Sequence, residues 1–161
     1  MKIMIQRVKK AHVRIQKTNE KISQIGPGIC VLLGIHKNDT EDFIEKMAKK
    51  CLNLRLWPDG EKNYMKSLQE MDYEILVDQI NKIAKVSQFS LYSKLKGNRL
   101  DFHDAMKSNL AEDFYRKFID YLKENYGFEK VKEGKFGHRM EVGITNDGPL
   151  SMMIEKRNEK I

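Results

Sequence analysis

"ICVLLGI", residues 29–35, is an unbroken apolar run entered through the "GPG" of residues 26–28. At that length it falls far short of the roughly 20 residues that span a bilayer, and it reads as a strand buried on both faces. The chain before it is strand-like throughout. "KIMIQRV" puts Ile3 and Ile5 on one face and Met4 on the other, and "AHVRIQK" and "EKISQI" follow as further strands.

Downstream, "NDT" offers a helix N-cap at Asp39 or Thr40. Phe43, Ile44, Met47, Ala48 and Cys51 then recur at helical spacing. "LRLW" reads as a short strand and "PDGEKN" as a loop. "YEILV" and "KVSQFSLY" read as strands on either side of the polar "DQINKIA", and residues 93–106 show no period and read as loop. A second helix is expected from Ser108 or Asn109, where Asn109 and Glu112 have capping-box spacing, with Leu110, Ala111, Phe114, Phe118, Tyr121 and Leu122 as its apolar stripe and "NYG" at its end. Strands resume at "KFGHRMEVGI" and finish at "LSMMIEK"; "RNEKI" is expected to fray. Many strands with two separated helices predict an α+β fold, a largely antiparallel sheet or barrel with the helices outside. The sheet edges must be covered, and a homodimer is one way to do so.

The 161 residues suit one domain with a real core. The N-terminus is too short in its apolar part and too basic after it for a signal peptide, and no segment is long and apolar enough for a membrane helix, so a cytoplasmic protein is expected. Cys30 and Cys51 lack a CxxC partner and read as reduced core residues. Thirty basic against 23 acidic side chains leave +7, which suits a polyanion such as nucleic acid; lysine-rich surfaces also serve solvation alone.

Side-chain chemistry is sparse. There is no P-loop, no GxGxxG, no HExxH and no GxSxG. His12, His36, His103 and His138 are scattered without ligand spacing, so neither a metal nor a cofactor is implied. Ser87 and Ser90 are possible nucleophiles without a visible base. "TNDGPLS", residues 145–151, sits between two alternating runs, Met140, Val142 and Ile144 before it and Leu150, Met152 and Ile154 after it. Asn-Asp-Gly-Pro is strong turn chemistry and predicts a hairpin there.

Together, "IQRV", "VSQFSL" and "NDGPLS" resemble the D-aminoacyl-tRNA deacylase family, whose signatures are SQFTL and a Gly-Pro element within NxGPxT. Here these stand as Ser87, Gln88, Phe89, Ser90, Leu91 and as Asn146, Asp147, Gly148, Pro149, Leu150, Ser151. "GICVLLGIHKNDT", "CLNLRLW", "LKGNRLDFHDAM" and "GKFGHRM" extend the likeness over nearly the whole chain. The resemblance implies a single deacylase domain over residues 1–155 with a short charged tail at 156–161. It implies hydrolysis of the ester between a D-amino acid and the tRNA 3′ end, for chiral proofreading in translation. It also implies a homodimer in which a cis Gly148–Pro149 enters the partner's pocket and its two carbonyls accept the substrate ammonium. A D side chain then leaves the pocket while an L side chain meets backbone, a rejection by clash that glycine escapes, so glycyl-tRNA is an expected substrate.

Within that resemblance the Phe89 N–H and Gln88 would polarise the ester carbonyl, with Ser87 nearby and the terminal 2′-OH of the tRNA activating water. Ser90 stands where the family has threonine and takes a hydrogen-bonding rather than covalent role; Ser151 is a second threonine-to-serine change. Phe136 would stack on the terminal adenine, and Arg7 would hold the Gly-Pro loop. Two features depart from the family: "DQINKIAK", residues 78–85, reads as extra just upstream of SQFSL, and Leu100 stands where proline is usual. The rival readings are a non-catalytic nucleic-acid-binding protein of the DNA-unwinding-element type and a same-fold deacylase for mischarged glycine or L-alanine.

Overall fold

β1 (Lys2–Ile15) is one strand where the sequence suggests two, and the sheet is assembled on it. The structure, a computed structural model, describes residues 1–78, 89–135 and 138–157. After β1 come β2 (Lys21–Ile25), β3 (Gly28–Gly34), α1 (Asp42–Asn53), β4 (Arg55–Asp59), β5 (Lys62–Ser67), the short α2 (Leu68–Met71) and β6 (Glu74–Asp78). A 3-10 turn at Phe89–Tyr92 leads to β7 (Lys94–Lys96), β8 (Arg99–Asp101), α3 (Ser108–Tyr126), β9 (Val131–Glu133) and β10 (Met140–Glu155). The main sheet runs β10-β1-β3-β6-β9, with β2 beside the second half of β1. The pairings of β1 with β10, β2 and β3 are antiparallel, whereas β3–β6 and β6–β9 are parallel. The fold is α+β and dominated by antiparallel pairing, with a parallel edge.

β3 is buried along nearly its whole length because both of its faces are covered. One face meets a core of Ile3, Ile5, Val31 and Leu33 closed over by α1 and α3, through Phe43, Met47 and Cys51 and through Ala111, Phe118 and Leu122. The other meets a smaller cluster of Val8, Ala11, Val13, Cys30, Leu76 and Met140. Gly28 permits the close β3–β6 approach: a Cβ there would lie 1.9 Å from the Glu74 carbonyl oxygen. Burial of α1 and α3 on a shared sheet face follows from their apolar stripes. The α3 stripe runs through Ala111, Tyr115, Phe118, Ile119 and Leu122, one step round from the expected one, and Leu110 is exposed.

Several local expectations are corrected. Asp39 and Thr40 do not cap α1; Glu41 occupies the N-cap without a side-chain bond. The Asp39 carboxylate is taken by the buried Met1 ammonium at 2.5 Å and the His36 N–H at 2.7 Å, stronger partners than a helix amide. Asn109 and Glu112 form no capping box at α3, whose N-cap is Lys107. A capping box does close at α2, between Ser67 and Glu70. "PDGEKN" turns a β4–β5 hairpin, and residues 93–106 contain the β7–β8 hairpin. β4 matches the expected "LRLW" strand through the buried Leu56 and Trp57, whereas β5 is exposed over its first four residues and β7 and β8 are largely exposed, so these three had no apolar rhythm to show. "FSLY" is a 3-10 turn rather than strand. The predicted hairpin at 145–151 is absent: β10 continues through it. The extra stretch at 78–85 lies, after Asp78, outside the described residues. No described helix is long and apolar enough to cross a membrane.

Both cysteines are buried, and burial pushes the Cys51 thiol up to about 12. At pH 8 only on the order of one Cys51 in ten thousand would be thiolate. We expect neither cysteine to react with a maleimide in the native protein and both to react in urea; rapid native labelling would show that the strand-helix core opens.

Candidate active site

The ladder between β1 and β10 is regular at both ends and broken in the middle. Gln6 pairs with Ser151 and Val8 with Asn146, so β10 spends five residues where β1 spends two. The surplus forms a bulge containing Asp147, Gly148, Pro149 and Leu150 directly opposite Arg7. A bulge leaves backbone groups without ladder partners, and Arg7 meets that need. Its Nε donates to the Asp147 carbonyl at 3.3 Å and lies 3.0 Å from the Asp147 carboxylate. Its Nη1 donates to the Leu56 carbonyl of β4, so one guanidinium ties the bulge to the β4–β5 hairpin. The planar fork of arginine suits two such acceptors at once, which an ammonium would not.

The Gly148–Pro149 bond is cis, and Gly148 has φ +116°, a region that side-chain-bearing residues avoid. A Cβ on Gly148 would lie 3.3 Å from Arg7 Nη2 and 3.1 Å from the Leu150 nitrogen. Glycine is therefore required both by its own backbone and by the arginine stacked against it. At the edge of the bulge, Gln6 Nε2 reaches Ser151 Oγ at 3.5 Å.

The second motif is placed elsewhere. Phe89 opens the 3-10 turn. The carbonyl of the exposed Ser90 accepts from the Ser93 amide at 3.3 Å and the Ser93 hydroxyl at 2.7 Å. Lys2 Nζ donates to the Leu91 carbonyl at 3.0 Å and stands 4.5 Å over the Tyr92 ring. Ser87, Gln88 and Phe136 lie outside the described residues. Lys2, whose ammonium holds the Phe89–Tyr92 turn, and Arg7, whose guanidinium holds the Gly-Pro bulge, are five positions apart on β1, roughly 17 Å between their Cα atoms at about 3.3 Å per residue. Of the candidate residues, Arg7, Gly148 and Pro149 are thus brought together, while Phe89 and Ser90 belong to the turn that Lys2 holds.

Sequence reading passed over Asp147 as a turn residue and over the Leu56 carbonyl altogether. A charge next to the Gly-Pro pair, facing the arginine of "QRV", was the available signal for Asp147; a backbone acceptor leaves none. Among the described residues no group of three or more His, Cys, Asp or Glu is placed to hold a metal ion. The arrangement offers what a site built on backbone offers: carbonyl acceptors held rigidly at a bulge, and amides at a tight turn.

Comparison with known proteins bears on this arrangement. A family model described as D-Tyr-tRNA(Tyr) deacylase matches residues 4–155. The D-aminoacyl-tRNA deacylase of Dictyostelium discoideum is 42% identical over 161 residues, covering 99% of this chain and 100% of that one. D-aminoacyl-tRNA deacylase 1 of Homo sapiens is 46% identical over 156 residues, covering 96% of this chain and 70% of that one. A solved structure described as c-Myc DNA Unwinding Element Binding Protein is similar with a TM-score of 0.84 at 42% identity, over 98% of this chain and 99% of that one. Another, described as a probable eukaryotic D-amino acid tRNA deacylase, shares the fold at 18% identity, with a TM-score of 0.78 over 95% and 97% of the two chains.

Removing the Arg7 fork leaves the Leu56 and Asp147 acceptors unpaired, so Arg7→Ala should cost about 1–3 kcal/mol in urea unfolding, only partly recovered by Arg7→Lys. Gly148→Ala should cost about 1–3 kcal/mol from its backbone conformation alone. An unchanged unfolding midpoint for Gly148→Ala would mean that the bulge readily adopts another conformation.

Proposed function

Because the chain belongs to the D-Tyr-tRNA(Tyr) deacylase family, we propose that it hydrolyses the ester joining a D-amino acid to the 3′ end of tRNA. The products are the free D-amino acid and reusable tRNA. The observation that carries this reading is the Gly148–Pro149 bulge held by Arg7. In it the Gly148 and Pro149 carbonyls accept the substrate's ammonium, and Arg7 fixes their direction. With the ammonium and the ester carbonyl both held, a D side chain points out of the pocket and an L side chain meets backbone. Glycyl-tRNA, with no side chain to reject, is hydrolysed too.

An aminoacyl ester is already activated, so donors at the developing oxyanion are the main requirement. The Phe89 N–H and Gln88 supply them, with Ser87 beside them and Ser90 hydrogen-bonding within the turn. Phe136 stacks on the terminal adenine. Water, activated by the terminal ribose hydroxyl, adds to the carbonyl; the ester C–O bond then breaks, and the ribose oxygen leaves with a proton. The chain acts in the cytosol as a homodimer. That the turn is fastened to Lys2 and the bulge to Arg7, five positions apart on β1, supports the dimer, in which a site using both motifs draws the bulge from a second copy. The outer edge of β10, on which no described strand pairs, gives that copy a place to approach.

A second reading, nucleic-acid binding without catalysis, draws on the description of the 42%-identical solved structure and on the charge of +7.

Hydrolysis of D-Tyr-tRNA, L-Tyr-tRNA and Gly-tRNA by the purified protein separates these. Release from the D and glycyl substrates, with L-Tyr-tRNA spared and Arg7→Ala slowed by tenfold or more, is expected. A folded dimer that releases none of the three would leave the binding role in its place. Sedimentation is expected to give a dimer, and an active monomer would sink the cross-subunit site.

A further inference from the structure

At the Lys2 end of β1 the loop after β3, the Phe89–Tyr92 turn and the end of β10 enclose a cleft of about 280 Å³. Tyr92 forms one wall, only 7% exposed, and its hydroxyl is buried without a hydrogen-bond partner among the described residues. An unmet buried donor of that kind is uncommon and is usually accounted for by water, an ion or a ligand. Its charged neighbours Asp39, Glu155 and Arg157 all line the cleft, and burial with the two carboxylates pushes the phenol's pKa up, keeping it a donor.

His36, 5.1 Å from the Tyr92 ring, accepts the Asn38 N–H on Nδ1 at 3.1 Å. Its proton therefore rests on Nε2, a second donor. Every carboxylate on the walls already holds a cation: Asp39 the Met1 ammonium at 2.5 Å, Asp104 Lys94 at 2.5 Å, and Glu155 Arg157 at 2.6 Å. Lys156 makes no ion pair among the described residues, and Lys2 shares Glu155 with Arg157 at 3.8 Å while donating to the Leu91 carbonyl. The cleft is thus rich in donors and positive, with no free carboxylate to hold a cation.

We propose that this cleft binds a phosphate group between Lys2, Lys156, His36 and Tyr92. On the deacylase reading, on which only the source rests, it is a phosphodiester of the single-stranded tRNA 3′ end. A ligand oxygen that draws the Lys2 ammonium off the ring face gives the Tyr92 hydroxyl the acceptor it lacks.

The test is fluorescence anisotropy of a labelled RNA oligonucleotide ending in CCA, with inorganic phosphate as competitor, on the full chain and on Tyr92→Phe and Lys156→Ala. Both variants should melt with the parent, since neither removed group is paired among the described residues. Tyr92→Phe should weaken binding about tenfold, and Lys156→Ala should lower the log–log salt slope by about 0.7. Phosphate that binds with the same dependence while the oligonucleotide does not would keep the site and assign it to free phosphate. Binding within twofold of the parent in both variants overturns the site, as does a loss confined to Lys156→Ala, which reduces it to a charged rim. Ester hydrolysis on the same preparations keeps the two readings apart. Hydrolysis with binding insensitive to both variants removes this site alone, whereas variant-sensitive binding without hydrolysis removes the deacylase reading alone.

Discussion

A strand inside a sheet must pair its backbone on both edges, and β1 does so along nearly all of its length, against β10 on one side and β3 then β2 on the other. Where β10 leaves the ladder, opposite Arg7, that requirement has to be met by something other than a strand. The guanidinium meets it, reaching Asp147 across the sheet and Leu56 on β4. The irregularity also coincides with a change of side. Ile3 and Ile5 of β1 face the helix-covered core, while Val8, Ala11 and Val13 join the smaller cluster. Two breaks in register lie side by side here: one, between Gln6 and Val8, gives the Gly-Pro bulge on β10, and the next, between Val8 and Lys10, adds a residue on β1 and lets Val8, Ala11 and Val13 share a side.

This arrangement explains why so few side chains look catalytic. Hydrolysing an activated ester requires oriented donors and acceptors more than a strong base, and on the proposed reading backbone groups at a bulge and at a tight turn would provide them without reorganisation. On the same proposed reading, selection by handedness would also be geometric, because a rigid acceptor pair fixes the direction in which a side chain leaves Cα. Such a mechanism relies on rigidity at Gly148, where both φ +116° and the adjacent Arg7 restrict the backbone.

The Lys2 end of β1 is held differently. The Met1 ammonium, its pKa lowered by burial against the pull of Asp39, donates to Asp39 at 2.5 Å and to the Lys156 carbonyl at 2.7 Å. The Lys156 N–H returns a bond to the Met1 carbonyl at 2.9 Å. These contacts fasten the ends of β1 and β10 to the loop after β3, and the cleft beside Tyr92 is the space they leave between them. Charge pairing there neutralises the carboxylates and leaves a positive opening within reach of the Phe89–Tyr92 turn.

The residues by themselves determined the fold class, the two long helices and the continuous apolar strand at 29–35, because periodicity reports which side chains are buried. Through the family resemblance they also pointed to Arg7, Gly148 and Pro149 as neighbours, and the structure brings these together. Tertiary structure alone decided that Asn-Asp-Gly-Pro is a bulge and not a turn: local turn chemistry is the same in both, and only pairing with β1 distinguishes them. It also decided the fate of Asp39, whose carboxylate suits a helix cap locally but finds a buried ammonium 38 positions away. The exposed strands β5, β7 and β8 went unread for a related reason, whereas β4, with Leu56 and Trp57 buried, was legible. Strands held by backbone bonds on an exposed surface leave no hydrophobic alternation. What a sequence cannot carry is the identity of a distant hydrogen-bond partner, and in this protein those partners place the site.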